Sequence, residues 1–237
     1  MSYFNITYFS KALGKTCQML VFKPDSKKPF PAVYQLHGHS DDYTQWARFT
    51  SLEQYAVDRQ IMIVMPDGGR GYYTNSVNEE NYEDHIIETV RFIDDTFDTI
   101  KDRSQRGIGG LSMGGYGALK LGMKYCDIFS SVAAHSSVIT PEERCGASPF
   151  WDNIFANEKP ENSLRNLAKK NGSKIKFRFD CGTEDSLFPD NKKFHEFLCE
   201  NKIEHIFEEF PGTHNWGYWR EHVGAAIEFH AKNFGLE

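Results

Sequence analysis

The segment Gly109-Gly110-Leu111-Ser112-Met113-Gly114-Gly115-Tyr116-Gly117-Ala118 constrains this chain more than any other, because it suits a sharp strand-to-helix turn and little else. The lead-in Arg106-Gly107-Ile108-Gly109 reads as a buried strand. Leu119, Leu121, Gly122 and Met123 then supply packing positions for a helix over 113–125. Gly110 and Gly114 leave room where strand and helix crowd together, so the Ser112 hydroxyl can stand clear of the backbone. That placement suits a serine nucleophile. The competing reading is an anion-binding glycine turn, but no Lys follows the glycines as a P-loop requires.

Around this turn the chain alternates between two periodicities. Strands over 3–10 and 16–22, joined by Leu13-Gly14-Lys15, predict an antiparallel N-terminal hairpin. Further strand-like runs cover 32–36, 61–65, 105–111, 130–134, 174–180 and 205–210. Helical patterns over 52–58, 81–97, 113–125, 191–201 and 218–234 separate them. Such alternation predicts an α/β fold with a mostly parallel central sheet and helices on both faces. A chain of 237 residues is expected to form one domain over 1–237. Residues 138–162 break the rhythm with Pro141, Gly146, Pro149, Pro160 and the pairs Phe150-Trp151 and Ile154-Phe155. They are expected either as an excursion over the site or as a loop filling a satellite core.

Composition removes several function classes. The formal net charge is −6 and Lys and Arg are scattered, which argues against nucleic acid or an anionic membrane surface as partner. No apolar run approaches ~18 residues, and the first residues lack the basic and apolar regions of a secretion signal. The five cysteines, Cys17, Cys126, Cys145, Cys181 and Cys199, show neither a disulfide framework nor a metal-site spacing, so no metal is expected and a reducing cytoplasm fits best.

A serine hydroxyl needs a His to take its proton and a carboxylate to orient that His. In α/β folds of this kind they follow in the order Ser, acid, His. His135, His195, His205, His214, His222 and His230 lie beyond Ser112. Only His214 stands in a breaker-rich turn, Phe210-Pro211-Gly212-Thr213-His214-Asn215-Trp216, between the last strand and the last helix. The acid is expected after the penultimate strand, in Asp180-Cys181-Gly182-Thr183-Glu184-Asp185. Asp185 is preferred, with Glu184 and Asp190 in reserve, while Asp180 at the strand end is expected to cap or bond the turn. The oxyanion hole calls for the amide after the nucleophile, that of Met113, and a second amide from an earlier loop. Leu36-His37-Gly38-His39-Ser40 offers the His39 amide, with Ser40 as alternative. His37 and His39 alone, without a third convergent ligand, are a weak zinc signal. Trp46, Tyr73 and Trp216, with Tyr72, Trp151 and Trp219, fall in or near loops at the carboxyl edge of the sheet. Their rings are candidates for substrate binding as well as packing. Arg70 in the neighbouring loop reads as solvated or as facing an anionic substrate group.

Taken together, Leu36-His37-Gly38, Gly110 through Gly117, Cys181 through Asp185 and Gly212 through Trp216 resemble the esterase D-like family, which includes tributyrin esterases, S-formylglutathione hydrolases and carbohydrate acyl esterases. The resemblance spans nearly the whole chain. It implies an α/β-hydrolase fold without a cofactor, with Ser112 as nucleophile, His214 as base, Asp185 as acid and the His39 and Met113 amides as oxyanion hole. The chain departs from the family at His39, where relatives often carry an apolar residue. The implied activity is a serine carboxylesterase acting on short-chain acyl esters, acetylated or feruloylated carbohydrates among them, with a small-molecule ester as its partner. A thioesterase of the S-formylglutathione type, an acyltransferase and a noncatalytic binding module are the alternatives, and self-association is left open.

Overall fold

Strands β1 (Ser2–Ser10) and β2 (Lys15–Lys23) pair antiparallel, from Ser2 opposite Lys23 to Ser10 opposite Lys15, around a turn in which Gly14 takes φ +62°. In this computed structural model, which describes residues 1–25 and 29–236, the hairpin forms one edge of an eight-stranded sheet. The remaining strands are β3 (Ala32–Leu36), β4 (Met62–Pro66), β5 (Arg106–Leu111), β6 (Ser131–His135), β7 (Lys176–Gly182) and β8 (Ile206–Phe210). Their order is β1-β2-β4-β3-β5-β6-β7-β8. The β2–β4 pair is antiparallel and the strands from β4 through β8 run parallel. Strands β3, β4, β5 and β6 are buried at every position, as expected of continuous apolar runs in a sheet covered on both faces. The edge strand β8 is only partly covered and exposes Ile206.

The α-helices of the described residues connect or follow these strands: α1 (Gln45–Phe49), α2 (Leu52–Arg59), α3 (Tyr82–Thr96), α4 (Met113–Lys124), α5 (Pro149–Phe155), α6 (Leu164–Asn171), α7 (Phe188–Glu200) and α8 (Trp216–Asn233). One face of the sheet packs against α3, α4, α6 and α7, and the other against α2 and α8. The short helices α1, α5 and α6 lie outside the sequence expectation, since two turns carry too little periodicity to stand out. Helix α7 begins three residues earlier than its pattern suggests, with Pro189 in its first turn, where a missing N–H costs nothing. Among the described residues no helix is long and apolar enough to cross a membrane.

Residues 138–162 contain α5 and are fastened to the body of the protein. Trp151 and Phe155 pack on Tyr72 at ring separations of 5.1 and 5.7 Å. Glu158 meets the buried Lys120 ammonium at 2.6 Å, and Lys120 also reaches Thr74 Oγ1 at 2.8 Å and Glu83 at 3.1 Å. A buried ammonium persists only when so surrounded, so this cluster ties the segment to α4.

The chain runs from β3 outward to β4 and then crosses back to β5 on the other side of β3. This places a topological switch point between β3 and β5, where the loops leaving their carboxyl ends diverge and leave a crevice.

Candidate active site

Ser112 occupies the crevice at the end of β5 with φ 53° and ψ −115°, a conformation that costs a non-glycine residue on the order of 1–3 kcal/mol. The surrounding backbone holds it there. The Ser112 N–H donates to the His135 carbonyl at 2.9 Å, and the Ser112 carbonyl accepts from Tyr116 at 3.0 Å and Val138 at 3.2 Å. A Cβ at Gly110 would lie 2.4 Å from the Gly114 carbonyl oxygen, and one at Gly114 would lie 2.4 Å from the Leu36 carbonyl oxygen. Neither position tolerates a side chain, which is why the turn can be this tight.

His214 arrives from the loop between β8 and α8. Asn215 caps α8, its side chain accepting from the N–H groups of Gly217 (2.8 Å) and Tyr218 (3.2 Å), and this sets where the preceding His214 stands. The acid loop is clamped to the same turn. Thr183 N–H donates to the Phe210 carbonyl at 2.8 Å, Glu184 N–H to the Gly212 carbonyl at 3.0 Å, and the Glu184 carboxylate accepts from the Gly212 N–H. Gly182 and Gly212 approach so closely that a Cβ on Gly182 would sit 2.2 Å from the Gly212 oxygen. The clamp brings Asp185 Oδ2 to 2.7 Å from His214 Nδ1, and His214 Nε2 lies 3.0 Å from Ser112 Oγ.

The Asp185 side chain is fully buried, whereas His214 is one-third exposed. Burial by itself would raise the Asp185 carboxyl. The hydrogen bond from His214 and the Leu187 N–H at 2.8 Å outweigh it and hold the carboxyl below the usual value, so it remains an anion facing the imidazole. Trp219 meets the His214 ring edge to face at 4.9 Å and donates from Nε1 to Ser136 Oγ at 3.2 Å, bracing the imidazole from behind. The reserve acids sit elsewhere. Glu184 serves the clamp, and Asp190 is exposed on α7 and lies 3.6 Å from Lys193; Asp180, expected at the turn, instead bonds His135 in the interior.

A cavity of about 360 Å³ opens in front of the hydroxyl, lined by Gly38, His39, Ser40 and Asp41 on one side and by His214, Asn215, Trp216 and Trp219 on the other. Among the described residues neither the His39 nor the Met113 amide donates to a protein acceptor. Met113 also begins α4, so the positive end of that helix faces the site. The His39 imidazole accepts from Arg70 at 2.7 Å, and burial together with Arg70 and Arg144 pushes it below its ordinary value. Arg70 also lies over the Phe150 ring at 5.2 Å, so its guanidinium is engaged by the protein. His37 is not available as a ligand. Its Nδ1 bonds the Gly38 carbonyl and its Nε2 accepts from Gly68 N–H, both at 2.8 Å.

The aromatic expectations divide. Trp216 lines the cavity. Trp46 and Tyr73, contrary to the expectation from sequence, do not line it and are scaffold residues. Trp46 is buried and donates from Nε1 to the Leu36 carbonyl at 2.9 Å, while buried Tyr73 donates to the His37 carbonyl at 3.0 Å. Both rings brace the loop that presents His39. Among the described residues none from 138–162 lines the cavity, so that segment flanks the site, through Phe150 against His39 at 5.4 Å, without roofing it. The Asn215 cap and the Glu184 clamp were missed in the sequence. The cap had a signal, an Asn immediately before a helical pattern, whereas the clamp had none, because it depends on two loops meeting.

The chain matches, over residues 10–229, the family model described as "Putative esterase". It is 28% identical to an acetyl esterase of Caldicellulosiruptor saccharolyticus in an alignment covering 98% of this chain and 99% of that protein. Among solved structures it superposes on the substrate-bound fluorophosphonate-binding serine hydrolase F of Staphylococcus aureus with a TM-score of 0.90 at 26% identity, covering 97% of this chain and 98% of the other. A second match is the S-formylglutathione hydrolase of Staphylococcus aureus as apoenzyme, with a TM-score of 0.88 at 27% identity and the same coverage.

Proposed function

The chain belongs to the esterase family, and on that premise we propose that it is a serine carboxylesterase hydrolysing short-chain acyl esters through an acyl-enzyme on Ser112. One observation carries the reading: an unbroken relay from Ser112 Oγ through His214 to the buried Asp185 carboxylate, opening directly onto a cavity.

The steps follow from that geometry. His214 Nε2 takes the Ser112 proton as Oγ attacks the ester carbonyl, and the Asp185 anion stabilises the imidazolium that forms. The carbonyl oxygen, now negative, is received by the Met113 and His39 amides, which donate to no acceptor among the described residues. His214 then protonates the departing alcohol. A water deprotonated by the same nitrogen attacks the acyl-enzyme and releases the acid. A cavity of about 360 Å³, at the small end for ligand sites, favours a short acyl group, and the acetyl esterase relative agrees with that size.

A thioesterase reading has its own support in the likeness to the S-formylglutathione hydrolase, since the same relay attacks a thioester carbonyl. A panel of p-nitrophenyl esters, acetylated xylo-oligosaccharide, methyl ferulate and S-formylglutathione, run on wild type beside Ser112→Ala, tests both. Rapid hydrolysis of acetyl esters, lost by about 10⁴-fold or more in Ser112→Ala, is the expected result. A kcat/KM on S-formylglutathione far above every oxygen ester would transfer the function to the thioester. Activity that survives Ser112→Ala would remove the nucleophile.

A further inference from the structure

Toward the amino end of β8, away from the carboxyl-end crevice that holds Ser112, His195 and Cys199 stand one turn apart on α7, and His205 lies just before β8. Their ligand atoms all fall within 4.8 Å of one another. His195 Nδ1 and His205 Nε2 are 2.8 Å apart, and Cys199 Sγ is 3.7 Å from His195 Nδ1. We propose that these three side chains form a binding site for a thiophilic divalent transition ion, Zn²⁺ by its donor set, which clips the edge strand β8 to α7.

The donor set is two imidazoles and a thiol, which together favour zinc over calcium or magnesium. Zn–N and Zn–S bond lengths at a tetrahedral angle separate neighbouring ligand atoms by about 3.3–3.6 Å. The sulfur is already near that distance, and the two nitrogens need to part by roughly half an ångström, within the reach of partly exposed rings. His205 Nδ1 bonds the Ile203 carbonyl at 2.8 Å, which holds its proton there and turns the lone pair of Nε2 toward the other two donors. The rings are also positioned by packing. His205 stacks against Phe177 and Phe179, both at 5.9 Å, and His195 against Phe207 at 4.9 Å. Burial, with His205 and Lys192 nearby, keeps His195 below its ordinary pKa and so more readily a neutral ligand.

On binding, His195 moves its ring proton from Nδ1 to Nε2, and the Cys199 thiol proton is released to solvent. Three protein ligands leave a fourth position for water. The clip joins the two elements that run from the acid loop and toward the His214 turn, at their ends remote from the cavity. It therefore stiffens the partly covered edge strand β8 and leaves the reacting groups untouched.

Cobalt titration of the reduced protein tests the site. One Co²⁺ per chain should bind with a thiolate-to-cobalt charge-transfer absorption, Zn²⁺ should displace it, and melting temperature should rise with Zn²⁺ while hydrolysis of p-nitrophenyl acetate is unchanged. Cys199→Ser, at an exposed position, should abolish the absorption. His205→Gln should weaken binding at least about tenfold, since even lost outer contacts cost that much. Failure of stoichiometric binding, binding undiminished in both variants, or inhibition rising in step with cobalt occupancy would each overturn the proposal.

Discussion

His214–Asp185 and His135–Asp180 both pair at the carboxyl end of the same sheet, and only the first is placed to do chemistry. His214 and Asp185 meet at 2.7 Å, and the other imidazole nitrogen faces a hydroxyl in an open cavity. His135 and Asp180 meet at 2.9 Å with both side chains fully buried. Asp180 accepts in addition from Tyr218 at 3.0 Å, with Arg178 at 3.1 Å, and His135 Nε2 has no partner among the described residues. Burial would raise the Asp180 carboxyl, but His135, Arg178 and Tyr218 together hold it below the usual value, as His214 and Leu187 do for Asp185. The electrostatics of the two carboxylates are therefore alike. What separates the pairs is whether the far nitrogen reaches a nucleophile and solvent.

Breaking the accessible pair should have the largest effect. His214→Ala and Asp185→Asn are each expected to lower kcat/KM by about 10⁴-fold or more, with thermal stability little changed in His214→Ala because that ring is partly exposed. Steady-state kinetics on p-nitrophenyl acetate beside thermal melts would show it. A loss of only a few-fold would mean that the relay is not used. The buried pair should behave in the opposite way. Asp180→Asn removes the buried carboxylate that His135, Arg178 and Tyr218 all face, leaving Arg178 only Glu208, and is expected to cost about 3–5 kcal/mol by urea denaturation. Its folded fraction, counted by fluorophosphonate titration, should keep kcat within a few-fold. A large loss of kcat per titrated site would make the second pair part of the chemistry.

A third imidazole sharpens the contrast at smaller scale. His230 is fully buried, pairs with no carboxylate among the described residues and bonds Ser131 Oγ at 2.8 Å; burial first, then Arg178 and His135, depress it to about 3. Because its folded value lies below the unfolded 6.5, the unfolded chain takes up the proton first. The contribution is intact above about pH 6.5 and is lost as pH falls toward about 3, with a slope of up to ~1.4 kcal/mol per pH unit. Denaturation curves between about pH 7 and about pH 5 should be shallower in pH for His230→Gln than for wild type. An unchanged slope would assign the acid sensitivity to other groups.

Much of this contrast was legible in the chain. The alternation of strands and helices indicated the parallel sheet, and the breaker-rich turn at 211–215 distinguished His214 from histidines inside regular elements. Trp46 and Tyr73 were misplaced because an aromatic near a loop looks the same in sequence whether it faces substrate or supports the loop from beneath. Their hydrogen bonds to the Leu36 and His37 carbonyls are long-range facts. The excursion at 138–162 was visible as an interruption, but its lateral placement depends on Glu158 finding Lys120.

Sequence by itself determined the elements and the residue types of the site, because local periodicity, glycines at a tight turn and a fixed order of chemistry are written along the chain. Tertiary structure alone decided which His–Asp pair is open, which aromatic rings meet the cavity, and that His195, Cys199 and His205 converge. Burial and side-chain distance arise from segments far apart in the chain, and no local pattern encodes the few ångströms by which two loops at the end of a sheet touch or miss.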